Sequence, residues 1–452
     1  MDTAGLTISR ILHAGYVFEC AGRRIAFDTI FENPFSRNCH AFPDVRFELE
    51  AIRRQRFDAV FISHFHDDHC SLESLDLLDR VTPLYIYCLF DELFDMVRQL
   101  GFTEVHSLAL DRAVEIGPFC VTPREAMDAE VDSMFQVRAA GMNVLNVVDS
   151  WIDEDLLAPL VAQGPWDMVL WPFQTMRELE VLAPTRHAAA PPGLPEEWIS
   201  QLKALRPRFV VPSSCQFVQE PWSWYNRAFF PISYARFAQE VGAALPDARI
   251  VRLDPGVSVR LDAAGLHPAA PLAWVLPVGD QDVDYAYEGN AAPPPTSEIA
   301  RHFAPLGEAE QARVTDYCRQ GLAAKYGDTE AGGDYFDQPR IWRLSVFDHA
   351  GQACHYHYRL DGERATLVDA DAGVLGWTTG IPAAKLYAAL ELGESLTSMY
   401  MRINDETFDA DTEAALQDAD VVDDPLIRCL FGDTFGAYQA AQLRRLLARG
   451  PG

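Results

Sequence analysis

The chain has 452 residues, with 66 acidic side chains against 37 basic ones and a formal net charge of −29. That balance excludes a broad phosphate-backbone footprint and an anionic membrane surface as first partners, so neither nucleic acid nor membrane is expected. An apolar fraction of 49% excludes disorder as the main state, and the length suits two domains or three. No apolar run is long enough to span a bilayer, since the stretch 266–279 is short and broken by prolines. The opening residues lack a basic and an apolar segment of signal-peptide type, and the nine cysteines contain no CxxC pair. A reduced, cytoplasmic setting is therefore expected.

In chain order, 6–13, 16–20 and 24–28 read as short strands, the last two joined by the turn Ala21-Gly22-Arg23. The run 57–63 (FDAVFIS) is almost wholly apolar, as a strand buried on both faces would be. Leucine spacing predicts a helix over 72–81, followed by a strand over 83–88 and an amphipathic helix over 91–100. Strand-like segments follow at 113–121, 133–139 and 142–148, then a helix at 153–163. Buried strands at 167–173 and 208–212 flank a helix at 196–205. A helix at 233–244 and strands at 249–253 and 257–261 close a first unit, 1–262. Strands and helices in this order predict an α/β sandwich. Residues 263–300, rich in Pro, Ala and Gly, read as a linker or a long wrapping loop. Residues 301–452 read as a smaller α+β unit, with a helix over 308–325 and strands over 341–347, 352–360 and 365–368. The acidic stretch 405–424 is expected to be a solvated face.

One segment carries chemistry. Ser63-His64-Phe65-His66-Asp67-Asp68-His69 is H-x-H-x-D-H placed between a buried strand and a helix. Packing does not explain three imidazoles and a carboxylate within six residues. His64 and His66 can reach one cation, and Asp68 and His69 an adjacent one; such a pair of ions activates water and clamps a substrate oxygen.

This motif resembles the signature of the metallo-β-lactamase fold superfamily, over about residues 5–262. The opening Ile11-Leu12-His13-Ala14-Gly15-Tyr16, followed by Arg24-Ile25-Ala26-Phe27-Asp28, is similar to the first hairpin of these proteins. The resemblance implies an αββα sandwich with two divalent metal ions at one edge of two facing sheets. It also implies that Asp28 either supports the metal loop by hydrogen bonds or is a simple turn residue. His13 is expected to be a structural hydrogen-bonder. A strand-end aspartate bridging the ions is implied at Asp149, which closes the apolar run 142–148.

Two positions depart from the family pattern. No histidine lies between His106 and His187. The third-ligand region offers only carboxylates, with Glu130 and Asp132 ahead of Glu125 and Asp128. Where a terminal histidine would follow the last core strand stand Ser214 and Cys215, and His187 is the other candidate. Harder ligands raise iron and manganese relative to zinc, although zinc keeps the first place. Stretches 131–133, 145–150, 171–173 and 211–212 most resemble the branch near CMP-N-acetylneuraminate hydroxylase, without its Rieske signature.

The aromatic cluster Phe217, Trp222, Trp224, Tyr225, Phe229 and Phe230 reads as core packing or as a substrate wall, with Arg227 suited to an anion. His355 and His357 share one face of a strand, as a polar face or a second metal site. Trp377 to Ile403 resembles cavity-lining helices of sterol-carrier-like domains, which leaves a substrate-presenting or dimerising role and a plain core both open.

The expected activity is hydrolysis of a small anionic, ester or phosphoester substrate by a metal-bridging hydroxide, with Asp68 orienting or deprotonating it. The alternatives are a diiron oxygenase in small-molecule biosynthesis and a non-catalytic metal-binding scaffold. Homo-oligomerisation is left open.

Overall fold

The computed structural model describes residues 5–329, 334–370, 372–432 and 435–449. The chain forms two compact units: one of residues 1–176, 190–287 and 442–452, the other of residues 177–189 and 288–441. No helix among the described residues is long and apolar enough to cross a membrane.

The first unit holds fifteen strands that matter for the site, in two sheets. They are β1 (Leu6–Arg10), β2 (Tyr16–Cys20), β3 (Arg23–Phe27), β4 (Ala59–Ile62), β5 (Leu84–Ile86), β6 (Val105–Ser107), β7 (Val114–Ile116) and β8 (Phe119–Glu125). There follow β9 (Ser133–Ala139), β10 (Met142–Asn146), β11 (Met168–Trp171), β12 (Phe209–Pro212), β13 (Arg249–Ile250), β14 (Ser258–Asp262) and β15 (Gly265–Pro268). The first sheet runs β15-β14-β1-β2-β3-β4-β5-β6 and the second β13-β12-β11-β10-β9-β8-β7.

The two sheets face each other through one apolar core. Alternate residues of each strand enter it: Ile8, Phe18, Ile25, Phe27 and Phe61 from one side, Val121, Phe135, Val137, Val144 and Leu170 from the other. Phe27 bridges the layers, 5.1 Å from Phe135 and 5.3 Å from Phe61 between ring centroids. The remaining residues of β4, Val60 and Ile62, are also fully buried. A strand covered on both faces reads as continuous apolar sequence, which is why 57–63 shows no alternation.

The outer helices show ordinary stop and start chemistry. Helix α2 (Asp91–Gln99) carries Asp91 and Glu92 in its first turn and buries Leu93, Phe94 and Val97. It packs beside β6. Helix α3 (Glu154–Ala162) is capped by Asp153, which accepts the N–H of Leu156. Helix α4 (Glu196–Leu205) buries Trp198, Leu202 and Leu205 at helical spacing. Helix α5 (Tyr234–Ala244), capped by Ser233, packs beside β13. Helices outside two facing sheets make this unit the αββα sandwich expected from the sequence.

The helix predicted over 72–81 is only one turn, α1 (Leu72–Leu75). The Arg80 guanidinium ends it by taking the carbonyl oxygens of Leu75, Asp76 and Leu78. The stretch 263–300, expected as a linker or a long wrapping loop, carries strand pairing at 265–268 and 275–277. Besides β15, residues 275–277 pair with 45–47, and Leu272 and Trp274 are buried. Short edge strands among prolines leave no periodic signal.

The second unit is α+β. Its sheet is β18-β17-β16-β19-β20, built from β16 (Arg340–Phe347), β17 (Ala353–Asp361), β18 (Arg364–Val368), β19 (Leu375–Pro382) and β20 (Arg402–Ile403). Trp342, Tyr358, Trp377 and Leu386 anchor its core. The helix expected over 308–325 has a π turn at Tyr317–Gly321 between two α segments. The acidic stretch 405–424 is more than a solvated face. Asp409 and Asp420 cap helices. Asp424, wholly buried, caps the helix Pro425–Phe431 and accepts from the indole N–H of Trp377 at 2.7 Å. His355 and His357 join no candidate metal group; His355 Nδ1 pairs with the Ser345 hydroxyl across the strands.

The end of the last described helix, α6 (Ala437–Arg449), belongs to the first unit from residue 442 onward. The buried Gln442 side chain accepts the N–H of Leu72 at 2.7 Å and donates to Ser71 Oγ at 2.8 Å. Ser71 Oγ–H in turn donates to Glu32, as does Ser74 Oγ at 2.9 Å. Replacing Gln442 by Leu keeps the volume but orphans a buried N–H. Denaturant unfolding of Gln442→Leu should show a loss of about 1–3 kcal/mol; no loss would mean that water serves the Leu72 N–H equally well.

Candidate metal centre

Five chain segments meet at one edge of the facing sheets: the β1–β2 turn, Asp28 after β3, the loop after β4, Asp132 just before β9, and the end of β10. Asp28 has no exposed surface and is in the left-handed region, φ +41°. Its Oδ1 accepts the Ser63 N–H at 2.8 Å; its Oδ2 accepts the Ser63 hydroxyl at 2.8 Å and faces His69 Nδ1 at 3.0 Å. Thus Asp28 is both a turn residue and the support of the loop.

These bonds fix two imidazole tautomers. Ser63 Oγ spends its single proton on Asp28, so His64 Nδ1, 2.9 Å away, must donate to Ser63 Oγ. His64 Nε2 then keeps its lone pair. His69 Nδ1 faces a carboxylate and donates to it, so Nε2 is the nitrogen that a cation would occupy, in place of the proton Asp149 draws there.

The ligand-type atoms fall into two groups. His64, His66 and Asp132 converge within 4.8 Å of one another, and so do His13, Asp68, His69 and Asp149. Asp149 faces both. Its Oδ1 is 3.8 Å from His64 Nε2, and its Oδ2 is 2.9 Å from His69 Nε2. Asp132 Oδ1 lies 3.6 Å from His64 Nε2. Asp132 Oδ1 and Asp149 Oδ1 are both buried and receive no hydrogen bond. Two buried carboxylate oxygens without a hydrogen-bond donor, both facing one imidazole lone pair, fit a cation, which would give each of them a partner.

The electrostatics agree. Burial, helped by His69, pushes the His64 imidazole well below its usual range, so it is neutral. Burial works against protonation of His69 too, but Asp149 and Asp68 outweigh it and hold that ring well above its usual range. Burial likewise raises Asp68, yet His69 and His13 overcome it and keep this carboxyl well below its ordinary value. Burial and then the neighbouring Asp149 push Asp132 up to about 7.

The structure separates the remaining candidates. Asp132 stands with His64 and His66, while Glu130, two residues earlier, is exposed and belongs to neither group. The reason is local. Ser133, next to Asp132, begins β9 and donates its hydroxyl to the Ser63 carbonyl at 2.9 Å. Cys215 Sγ joins neither group; it lies 3.9 Å from Ser214 Oγ, whose proton goes to the Val148 carbonyl. His187 is an exposed residue of the second unit. His13 is the residue whose place in the cluster the sequence reading did not foresee. Its only signal was a histidine in a tight turn, two residues before Gly15. Phe217, Tyr225, Phe229 and Phe230 are buried, so most of that aromatic cluster is core, while Arg227 is exposed.

No family model and no curated protein matches the sequence. Structural neighbours exist. A metallo hydrolase from Ignicoccus hospitalis is 16% identical, with 57% of this chain and 98% of that chain covered and a TM-score of 0.39. CmlA, a diiron β-hydroxylase from Streptomyces venezuelae, is 16% identical, with a TM-score of 0.40. The match covers 57% of this chain but spans only about half, 54%, of the hydroxylase. A metallo-β-lactamase fold protein from Bacillus subtilis is 12% identical, with coverages of 56% and 98% and a TM-score of 0.38. At such scores the fold assignment rests on this chain's own sheet order and on the place of its histidine loop.

Two outcomes follow from the geometry. Asp28→Asn turns an acceptor into a donor against the Ser63 N–H or hydroxyl. Metal titration should show affinity lower by about 10–100-fold, the usual cost of losing such a support, while an unchanged affinity would remove Asp28 from the site. The second concerns pH. The folded state raises Asp132 from 3.8 to about 7. Without metal, its contribution to stability is therefore full below about pH 4 and is lost as pH rises to about 7. A cation displaces that proton, so metal should stabilise the protein more at pH 7 than at pH 5. Thermal unfolding of chelator-treated and metal-loaded protein at the two values checks the sign, and Asp132→Asn should flatten the difference.

Proposed function

We propose that the chain is a dinuclear metal-dependent hydrolase acting on a small anionic, ester or phosphoester substrate. The observation that carries this reading is Asp149, whose two oxygens face two separate ligand groups. His64, His66, Asp132 and Asp149 Oδ1 would hold one ion; Asp68, His69 and Asp149 Oδ2 the other. When bound, two divalent ions supply Lewis acidity and a water of lowered pKa between them. The chain supplies the rest. Asp28 and Ser63 keep the lone pairs of His64 and His69 aimed inward. Asp149 fixes the spacing of the two groups. Asp68, held ionised by His69 and His13, is suited to orienting a reacting water rather than to storing its proton.

A second reading, a diiron oxygenase on the same fold, is favoured by one observation: Asp132 supplies a carboxylate where an imidazole would suit zinc better. Three histidines and three carboxylates form an oxygen-rich set that iron or manganese accepts readily. A non-catalytic metal scaffold is the reading to hold if no turnover is found.

Protein purified without chelator should contain two ions per chain by elemental analysis, or one tight and one weak. The double variant His64→Ala/His66→Ala should lose at least the first; unchanged metal content would overturn the site. A colourless, zinc-loaded preparation with esterase, lactonase or phosphodiesterase turnover supports hydrolysis. A coloured, iron-loaded preparation that consumes oxygen when reduced, and lacks those activities, supports the oxygenase.

A further inference from the structure

His13 sits at the tip of the turn between β1 and β2 with φ +51°. The turn is closed by Ile11 N–H to the Gly15 carbonyl at 2.8 Å and Gly15 N–H to the Leu12 carbonyl at 2.7 Å. A Cβ at Gly15 would lie 2.6 Å from the Asp28 carbonyl oxygen, so the turn is pressed against the metal loop's support. Arg10, wholly buried, reaches the carbonyl oxygens of His13, Ser213, Pro212 and Leu253, the last two at 3.0 and 3.3 Å. One guanidinium thus ties the His13 turn to the segment that follows β12. A strained residue held from several sides is the usual mark of a functional constraint.

That tie brings the backbone N–H of Cys215, itself at φ +60°, to 3.1 Å from His13 Nδ1. An amide N–H only donates. His13 Nδ1 therefore carries a lone pair, and the neutral ring carries its proton on Nε2. Nε2 lies 3.1 Å from Asp68 Oδ2 and 3.2 Å from His69 Nε2. A cation on the His69 lone pair leaves Asp68 Oδ2 as the acceptor for that proton.

Building on the dinuclear reading above, we infer that His13 is a positioning residue: its Nε2–H holds Asp68 Oδ2 and leaves Asp68 Oδ1 for the second ion, and His13 itself is not a ligand. The place that the sequence leaves without a terminal histidine, near Cys215, thus has an imidazole from the other sheet beside it, with a proton where a ligand has a lone pair. A ligand role would need the proton on Nδ1, head-on against the Cys215 N–H.

The test uses full-length protein labelled with nitrogen-15 in its histidines, metal-free and zinc-loaded. Long-range proton–nitrogen spectra, with His13→Gln assigning the signals, should show His13 protonated at Nε2 in both states. A proton on Nδ1 with a metal-shifted Nε2 would overturn the inference. Cobalt titration gives the second readout. His13→Ala should weaken the second ion about 10–100-fold, and His13→Gln, whose amide can donate to Asp68, should restore most of the loss. Equal loss in both variants makes His13 a ligand, and no loss in either removes it from the site. If the wild-type protein takes up no cobalt, the dinuclear reading fails, while the metal-free spectra still decide the His13–Cys215 bond.

Discussion

Everything at the metal edge depends on one buried carboxylate. Asp28 has no exposed surface and, among the described residues, no Lys or Arg bonded to it; its carboxylate is served by the Ser63 amide, the Ser63 hydroxyl and the His69 ring. Such a group is costly unless every acceptor site is served. Serving it fixes the direction of each donor, and those donors are the first and last residues of the histidine loop. Two tautomers, and through them the lone pairs that face the two ligand groups, follow from satisfying a single aspartate. The chemistry of the loop is set from behind, by a residue that reaches neither group.

Backbone strain collects at the same edge. His13, Asp28, Val148 and Cys215 all have positive φ, and none is glycine. Each lies just beyond the end of a strand, where pairing has stopped and the side chain must be turned toward the gap between the sheets. Val148 shows the cost most plainly, because a β-branched residue is poorly tolerated there. It directly precedes Asp149, so the strain sits where the carboxylate that faces both His64 and His69 has to be aimed. The two facing sheets, packed through Phe27, Phe61 and Phe135, provide the rigidity that holds four such residues in place.

What could be read from the sequence was what is local. The loop His64–His69, Asp149 at the end of an apolar strand and Asp28 after the hairpin each follow a strand whose pattern is visible within a few residues. The choice between Glu130 and Asp132 was not visible, because it turns on which residue abuts the start of β9. His13 was read as a hydrogen-bonder but not as a member of the cluster. Its nearness to Asp68 arises from strand pairing and from Arg10, neither of which leaves a trace in spacing. Strands at 265–268 and 275–277 were hidden by composition, since prolines and glycines suggest a linker wherever pairing partners are distant. The acidic stretch 405–424 looked uniform, yet Asp424 is buried while several of its neighbours are exposed; charge alone does not separate a cap from a solvated face.

The bond between Gln442 and the start of α1 bears on how the protein comes into being. The loop and the residue that backs it are 370 positions apart. A chain emerging from the ribosome displays His64, His66, Asp68 and His69 long before Gln442 has been synthesised, and β1 likewise waits for β14. During that interval the start of α1 lacks the side chain that takes its Leu72 N–H, so the segment directly after the histidine loop reaches its final set of bonds only when residues near 442 are in place.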